Sequence, residues 1–107
     1  MTPVRYHRAA QDEVFQEIEY LESQAPGLGR RLLRELRRIE GLIAAFPEAA
    51  EEVRPGIRRR PLRQFRYSVL YASEPDFVLI LALAHHRRRP DYWSGRLRLD
   101  LREPGSE

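Results

Sequence analysis

The side chains best suited to chemistry or binding in this sequence are arginines, which cluster at two places in its second half. Six arginines and no acidic residue fall between positions 54 and 66. A second basic run, His85–Arg89, is followed directly by Pro90–Trp93. Guanidinium groups offer forked donors that fit phosphates and carboxylates, and aromatic rings add flat contact area. The pattern predicts a rim that binds an anionic partner.

Both clusters also have a structural interpretation. The arginines between positions 58 and 66 would serve equally well as solvated side chains on an edge strand, where charge discourages pairing with other chains. Trp93 is the only tryptophan, and we favour it as a core residue that closes the open end of a sheet. Alternation along a strand would place Arg58 and Arg60 on one face and Arg59 and Arg63 on the other.

Two kinds of catalytic site are disfavoured. The chain has no cysteine, and adjacent strand residues point to opposite faces, so His85 and His86 cannot easily share a metal ion. His7 is a remote third candidate ligand. Neither a Gly-x-Ser-x-Gly elbow nor a glycine-rich phosphate loop is present. We therefore expect no metal, no cofactor and no serine-hydrolase triad.

Charge is distributed unevenly along the 107 residues. The chain has 19 arginines and no lysine, and the formal net charge is +3. Residues 1–53 carry a net charge of −3 and residues 54–107 carry +6, which favours an acidic or polyanionic partner. The alternative is that arginine merely replaces lysine on a solvated surface. No apolar run approaches the ~20 residues of a membrane span, and no secretory signal is visible, so we expect a cytoplasmic protein without a membrane partner.

The elements that must position these clusters follow from apolar periodicity. Alternation predicts a short strand around Val4–Tyr6, and helical spacing predicts two helices. The first helix is expected to start near Ala9 or Ala10, with Asp12 and Glu13 in its first turn. The second is expected to run from Leu28 to Phe46. A short break between the helices predicts an antiparallel helical hairpin.

Three further strands are predicted after Pro55-Gly56. They are expected over residues 57–63, 65–72 and 77–84, with a hairpin turn at 73–76. The last strand is apolar almost throughout, which is typical of an interior strand buried on both faces. The order β-α-α-β-β-β predicts an α+β fold, with the helical hairpin packed on a small antiparallel sheet. Residues 1–96 are expected to form one domain, and residues 97–107 a tail or an extra edge strand.

Four segments together resemble the ParE branch of the RelE/ParE toxins. They are Pro26–Gly29, Phe46–Glu48, Phe65–Tyr71 and Ala84–Trp93. These toxins are the toxin halves of type II toxin–antitoxin modules, often labelled plasmid stabilisation proteins. The resemblance covers residues 3–96 and implies a RelE/ParE-like fold. It also implies a cognate antitoxin that wraps the toxin and neutralises it in a heteromeric complex.

The resemblance implies two different targets, because ParE members block DNA gyrase and RelE members cut mRNA on the ribosome. The fold alone cannot choose between them. Nucleases of the RelE branch use Lys and Arg side chains on the sheet together with a C-terminal Tyr. Laid on this chain, those positions fall at Arg59, Pro61, Ser68, His86 or Arg87, and Tyr92. Serine and proline cannot supply the missing charges, and a guanidinium cannot accept a proton.

The resemblance therefore favours a gyrase inhibitor that acts by binding, without chemistry of its own. The residues predicted to contact the target are Arg58, Arg60, Arg87, Arg88, Arg89 and Tyr92. The alternative is a ribosome-dependent mRNA endonuclease that uses His86, Arg87 and Tyr92. A third possibility is a degenerate toxin that only binds its antitoxin.

Overall fold

A computed structural model describes residues 2–96 as two helices and a five-stranded sheet. The predicted tail or edge strand at residues 97–107 lies outside the described residues. Neither helix is long and apolar enough to cross a membrane. The elements are β1 (Val4–Tyr6), α1 (Arg8–Gln24), α2 (Leu28–Ala45), β2 (Glu51–Arg54), β3 (Ile57–Pro61), β4 (Tyr67–Ser73) and β5 (Val78–His85).

Helix α1 begins slightly earlier than predicted because a histidine caps it. The Nδ1 atom of His7 accepts a hydrogen bond from the backbone N–H of Ala9 at 2.9 Å, which satisfies one of the free donors of the first turn. Asp12 and Glu13 consequently lie in the second turn, and the expectation that they lie in the first turn was wrong. From the second turn, Glu13 makes a different set of contacts, described below.

The helical hairpin depends on a close approach at Gly29. Gly27, at φ 88°, starts α2 in the left-handed region that favours glycine. The Glu22 carboxylate then accepts hydrogen bonds from the backbone N–H groups of Gly27 and Gly29. A Cβ atom added at Gly29 would lie 2.6 Å from the carbonyl oxygen of Ile18, so only glycine lets the two helices come this close.

The sheet has the strand order β1-β5-β4-β3-β2. The α+β fold with a helical hairpin on one face is confirmed. The sheet is mixed, because β1 runs parallel to β5 while the other neighbours are antiparallel. Strand β2, Glu51–Arg54, was not predicted. All four of its residues are exposed, so it has no apolar alternation to reveal it and exists through its pairing with β3.

The two faces of the sheet bury separate apolar clusters. One cluster packs under the helices and includes Leu36, Tyr71 and Ile80. The other lies on the face away from the helices, which we call the open face. It consists of Ile57, Leu70, Ala72, Leu79, Leu81, Ala82 and Trp93.

Trp93 covers the open face. Its side chain is buried, with 5% exposed, and it packs in the cluster that contains Leu70 and Leu81. The prediction that Trp93 is a core residue is confirmed, although it covers a face of the sheet rather than closing an end. A bulge helps to build this cluster, because the register between β4 and β5 shifts at Leu81 and leaves both Leu81 and Ala82 on the open face.

Candidate target-binding surface

The first feature of the candidate site is the exposed segment Arg87–Arg89, which follows β5 and which we call the arginine turn. Its fold is set by His85, whose carbonyl oxygen accepts from the backbone N–H of Arg88 at 3.0 Å. The Nδ1 atom of His85 also accepts from the N–H of Arg87. All three guanidinium groups belong to exposed residues. No carboxylate of residues 2–96 forms an ion pair with any of them, so their charge is available to a partner.

The ring of Tyr92 packs against the arginine turn. The guanidinium of Arg88 lies over its ring, 3.8 Å from the centroid, in a cation–π contact. Its hydroxyl donates to Oε2 of Glu13 at 2.9 Å. Burial, reinforced by this hydrogen bond, raises the pKa of Tyr92 well above its usual value. The ring therefore orients Arg88, while the hydroxyl is neutral and already engaged.

Glu13 is the centre of a polar cluster that sequence reasoning missed. Its two carboxylate oxygens accept from Nη1 of Arg96 at 3.1 Å and Nη2 at 2.8 Å. Oε1 also accepts from the backbone N–H of Leu83, and Arg96 donates to the carbonyl of Leu81. We call this cluster, with Tyr92, the Glu13 latch. Glu13 is 79 positions from Tyr92 and 83 positions from Arg96 in the sequence, so no local pattern could have revealed the cluster.

The latch completes the edge of β5. Strand β1 pairs only with Val78–Ile80, which leaves the following backbone groups of β5 without a strand partner on that side. Glu13 and Arg96 satisfy two of them, and their side chains are only 12% and 16% exposed. Because unpaired buried polar groups are costly, the latch fixes the segment that carries both Tyr92 and Trp93.

Arg58 and Arg60 lie apart from the arginine turn. Their register partners on β4 are Tyr71 and Val69, so both side chains project toward the helix-facing side of the sheet. Both residues are half-buried, and Arg58 donates to the carbonyl of Ala50 at 2.8 Å. Both were predicted to contact the target, and this stays a prediction; of the two, Arg58 is already engaged in holding the segment before β2.

The two histidines point to opposite faces, as predicted. The His85 ring packs edge-on against Tyr67, with 5.2 Å between centroids. On the open face, Nε2 of His86 lies 3.1 Å from Oγ of Ser68, which is almost fully buried. Arg59 is paired with Glu51 at 3.2 Å. Within residues 2–96, no three acidic or histidine side chains are arranged to hold a metal ion.

An apolar groove lies between the two helices and β1, and we call it the helix groove. It has a volume of about 360 Å³. Phe15 is its most exposed apolar side chain, with 60% of its surface open to solvent. At one side of the groove, Glu40 accepts a hydrogen bond from the hydroxyl of Tyr6. The lining residues are Tyr6, Gln11, Val14, Phe15, Leu33, Leu36, Arg37 and Glu40.

Comparison with known proteins identifies the family. A family model described as "ParE toxin of type II toxin-antitoxin system, parDE" matches residues 4–90. The chain belongs to the ParE toxin family. The resemblance seen in the sequence is thus confirmed. The match ends before Tyr92, Trp93 and Arg96, so the segment held by the Glu13 latch lies beyond the part of this ParE-family chain that the model covers.

A solved structure shares the ParE fold. It is a chain described as "Chromosomal ParDE TA system from P. aeruginosa", and it superposes with a TM-score of 0.69. The aligned region covers 79% of this chain and 96% of that chain, at 15% sequence identity. A search of curated proteins finds no significant match. At this identity the structural likeness establishes the fold of the ParE-family chain and leaves its target to be argued from its residues.

Proposed function

We propose that this ParE-family chain inhibits DNA gyrase by binding, and that a cognate antitoxin neutralises it. The observation that carries the proposal is the arginine turn. Three exposed arginines stand together without ion-pair partners among residues 2–96, and Tyr92 supports one of them. Such a surface fits the acidic protein or DNA surface that gyrase presents, because guanidinium groups bind carboxylates and phosphates in two-pronged fashion.

The sheet offers little for RNA cleavage. Of the positions that the nuclease branch uses, Ser68 is buried and Pro61 has no titratable group. Arg59 is paired with Glu51, and a guanidinium has donors but no acceptor for a proton. The hydroxyl of Tyr92 is engaged by Glu13. These contacts favour a toxin that acts by binding.

The test is inhibition of supercoiling by purified gyrase. The triple variant Arg87→Ala, Arg88→Ala, Arg89→Ala is expected to lose inhibition while keeping its circular dichroism spectrum, since all three residues are exposed. The matched control removes three other exposed arginines, Arg5, Arg8 and Arg37. It should inhibit like the unmodified chain. Full inhibition by a folded arginine-turn variant would contradict the assignment.

The mRNA endonuclease remains the second candidate because of one contact. Ser68 holds His86 on the open face, which places an imidazole, a common general acid or base, directly before the guanidinium of Arg87 in the chain. Pulse-labelling after induction separates the candidates. An early fall in DNA synthesis supports gyrase, and an early fall in protein synthesis that His86→Ala abolishes supports the nuclease. A toxin that only binds its antitoxin would lower neither.

The antitoxin is proposed to insert apolar side chains into the helix groove. The groove combines an exposed aromatic, Phe15, with the opposite charges of Arg37 and Glu40, a composition that fits an amphipathic protein segment. Phe15→Asp should leave toxicity intact and abolish neutralisation on co-expression. Tyr20→Asp is the matched control, because Tyr20 is equally exposed on α1 but does not line the groove. Equal neutralisation of both variants would exclude the groove.

A further inference from the structure

A second group of arginines surrounds a cavity that the proposed function does not use. Three of them, Arg31, Arg34 and Arg38, share one face of α2 because they are spaced at helical intervals. A fourth, Arg63, comes from the loop between β3 and β4. We call this cavity the arginine pocket, and its volume is about 270 Å³. It is lined by Arg31, Arg34, Glu35, Arg38, Arg63, Gln64 and Phe65.

The acid in the pocket is already fully occupied. Glu35 receives a two-pronged contact from Nε and Nη2 of Arg38, at 3.0 and 2.7 Å. It also accepts from the backbone N–H of Arg63 at 2.8 Å. Of the carboxylates in residues 2–96, none pairs with the guanidinium groups of Arg31, Arg34 or Arg63. Three positive charges therefore line a concave surface without a counter-ion from the described chain.

The loop that closes the pocket is held in an uncommon conformation. Gln64 has φ 64°, in the left-handed region that non-glycine residues rarely adopt. Its side-chain oxygen accepts from Nη2 of Arg31 at 3.1 Å. Phe65 packs against the main core beside it. The loop is thus anchored at three successive residues, which presents Arg63 from a fixed position.

The arginine pocket and the arginine turn lie at the same end of the molecule. The carbonyl of Arg66, directly after the pocket loop, accepts from the backbone N–H of His86 at 2.9 Å. The acidic residues Glu74 and Asp76 lie in the turn between β4 and β5, at the opposite end of those strands. The molecule therefore has a basic end built from the arginines of α2, the β3–β4 loop and the arginine turn, which draws on both halves of the sequence.

We propose that the arginine pocket binds phosphate groups and that, with the arginine turn, it holds the backbone of duplex DNA. The pocket lacks an exposed large apolar side chain; among the described residues these are Phe15, Tyr20, Phe46 and Val53, all elsewhere. Surfaces that bind proteins are rich in exposed aromatic anchors, whereas surfaces that bind DNA are polar and strongly basic. The inference deepens the gyrase proposal, because DNA is what gyrase holds, but it does not require gyrase.

The test uses the purified full chain and a fluorescently labelled 20-base-pair duplex, without gyrase, in an anisotropy titration at several salt concentrations. The variant Arg31→Ala, Arg34→Ala, Arg63→Ala should bind at least about tenfold more weakly. The slope of log K against log salt should fall by about 2 to 3, since each phosphate contact contributes about 0.9. The control variant that lacks Arg5, Arg8 and Arg37 loses the same charge and should retain most of the affinity and the slope.

Several outcomes would overturn the proposal. One is an equal loss of duplex affinity in the pocket and control variants. Another is no binding of the duplex by the unmodified chain at 50 mM salt. A third is displacement of the duplex by polyglutamate as effectively as by inorganic polyphosphate. The last would assign the pocket to an acidic protein. The variant Arg31→Lys, Arg34→Lys, Arg63→Lys keeps the charge and should keep most of the affinity, and an unchanged circular dichroism spectrum of the alanine variant shows that its loss of binding is not misfolding. Because gyrase is absent, failure here leaves the gyrase proposal to its own supercoiling assay.

Discussion

Glu13 holds Tyr92 by a hydrogen bond of 2.9 Å that spans 79 positions of the sequence. The same carboxylate is paired with Arg96 at 2.8 Å. One acidic side chain on α1 therefore fixes the segment that places Tyr92 under Arg88 and Trp93 on the open face. The geometry of the arginine turn thus depends on a residue that lies outside every cluster seen in the sequence.

Replacing the latch carboxylate should destabilise the fold. Glu13→Gln leaves the guanidinium of Arg96, only 16% exposed, without its counter-charge, and we expect a loss of about 2–4 kcal/mol in the free energy of unfolding. Urea denaturation measures it. Glu19→Gln, an exposed change on the same helix, is the control and should cost less than about 0.5 kcal/mol. Similar values for both variants would show that the latch contributes nothing.

Two glycines of α2 should respond in opposite directions to alanine. Gly29→Ala places a methyl group 2.6 Å from the carbonyl oxygen of Ile18, so we expect a loss of about 1–3 kcal/mol from overpacking. Gly41→Ala meets nothing within 4 Å and should gain about 0.5–1 kcal/mol through helix propensity. Thermal unfolding of the two variants provides the comparison. A stabilising Gly29→Ala change would mean that the helices are not in close contact there.

The Glu35 interactions should give an acid-dependent contribution to stability. Hydrogen bonding to Arg38 lowers the pKa of Glu35 below its usual value. The contribution is therefore fully present above the unfolded-state pKa of about 4.3 and is lost as the pH falls through the lower folded-state pKa. Glu35→Gln should cost about 1 kcal/mol at pH 7. The difference from the unmodified chain should shrink below about pH 4, and a difference independent of pH between 7 and 3 would contradict this account.

Asp91 carries backbone strain at the start of the Tyr92–Trp93 segment. Its φ is 66°, and its contact with Arg54 is long, at 3.8 Å between exposed groups, so the ion pair adds little. Asp91→Gly should therefore be neutral or slightly stabilising, whereas Asp91→Val should cost about 1–3 kcal/mol. Chemical denaturation of both variants measures the difference in their free energy of unfolding. Equal stability would show that the conformation changes freely at this position.

The sequence predicted best what depends on local periodicity. Helix α2 was expected over Leu28–Phe46 and is found over Leu28–Ala45, because an apolar stripe such as Leu32, Leu36 and Ile39 repeats at helical spacing. Strand β2 was missed because all four of its residues are exposed and only pairing with β3 defines it.

The same distinction holds for the candidate site. The arginine turn is contiguous in sequence and could be recognised there. The Glu13 latch and the contact between Arg31 and Gln64 join residues that are far apart in the chain. Neither pattern nor composition indicates such pairs, since they exist only once the sheet and the helices have packed. Alternation along the strand placed Arg58 and Arg60 on one face, and only the register shows that this is the helix-facing side of the sheet; their contact with the target stays a prediction.

The bulge at Leu81 sets the phase of everything that follows it on β5. Ile80 and Leu83 both face the helices although three positions separate them, so odd and even positions exchange sides at this point. If the same residues of β5 alternated regularly through Leu81 without a bulge, His85 would share a face with Ser68, and His86 would lie on the side of Tyr67. The bulge at Leu81 therefore decides which residues after it face the helices and which face the open side. It thereby determines from which side of the sheet the chain departs into the arginine turn.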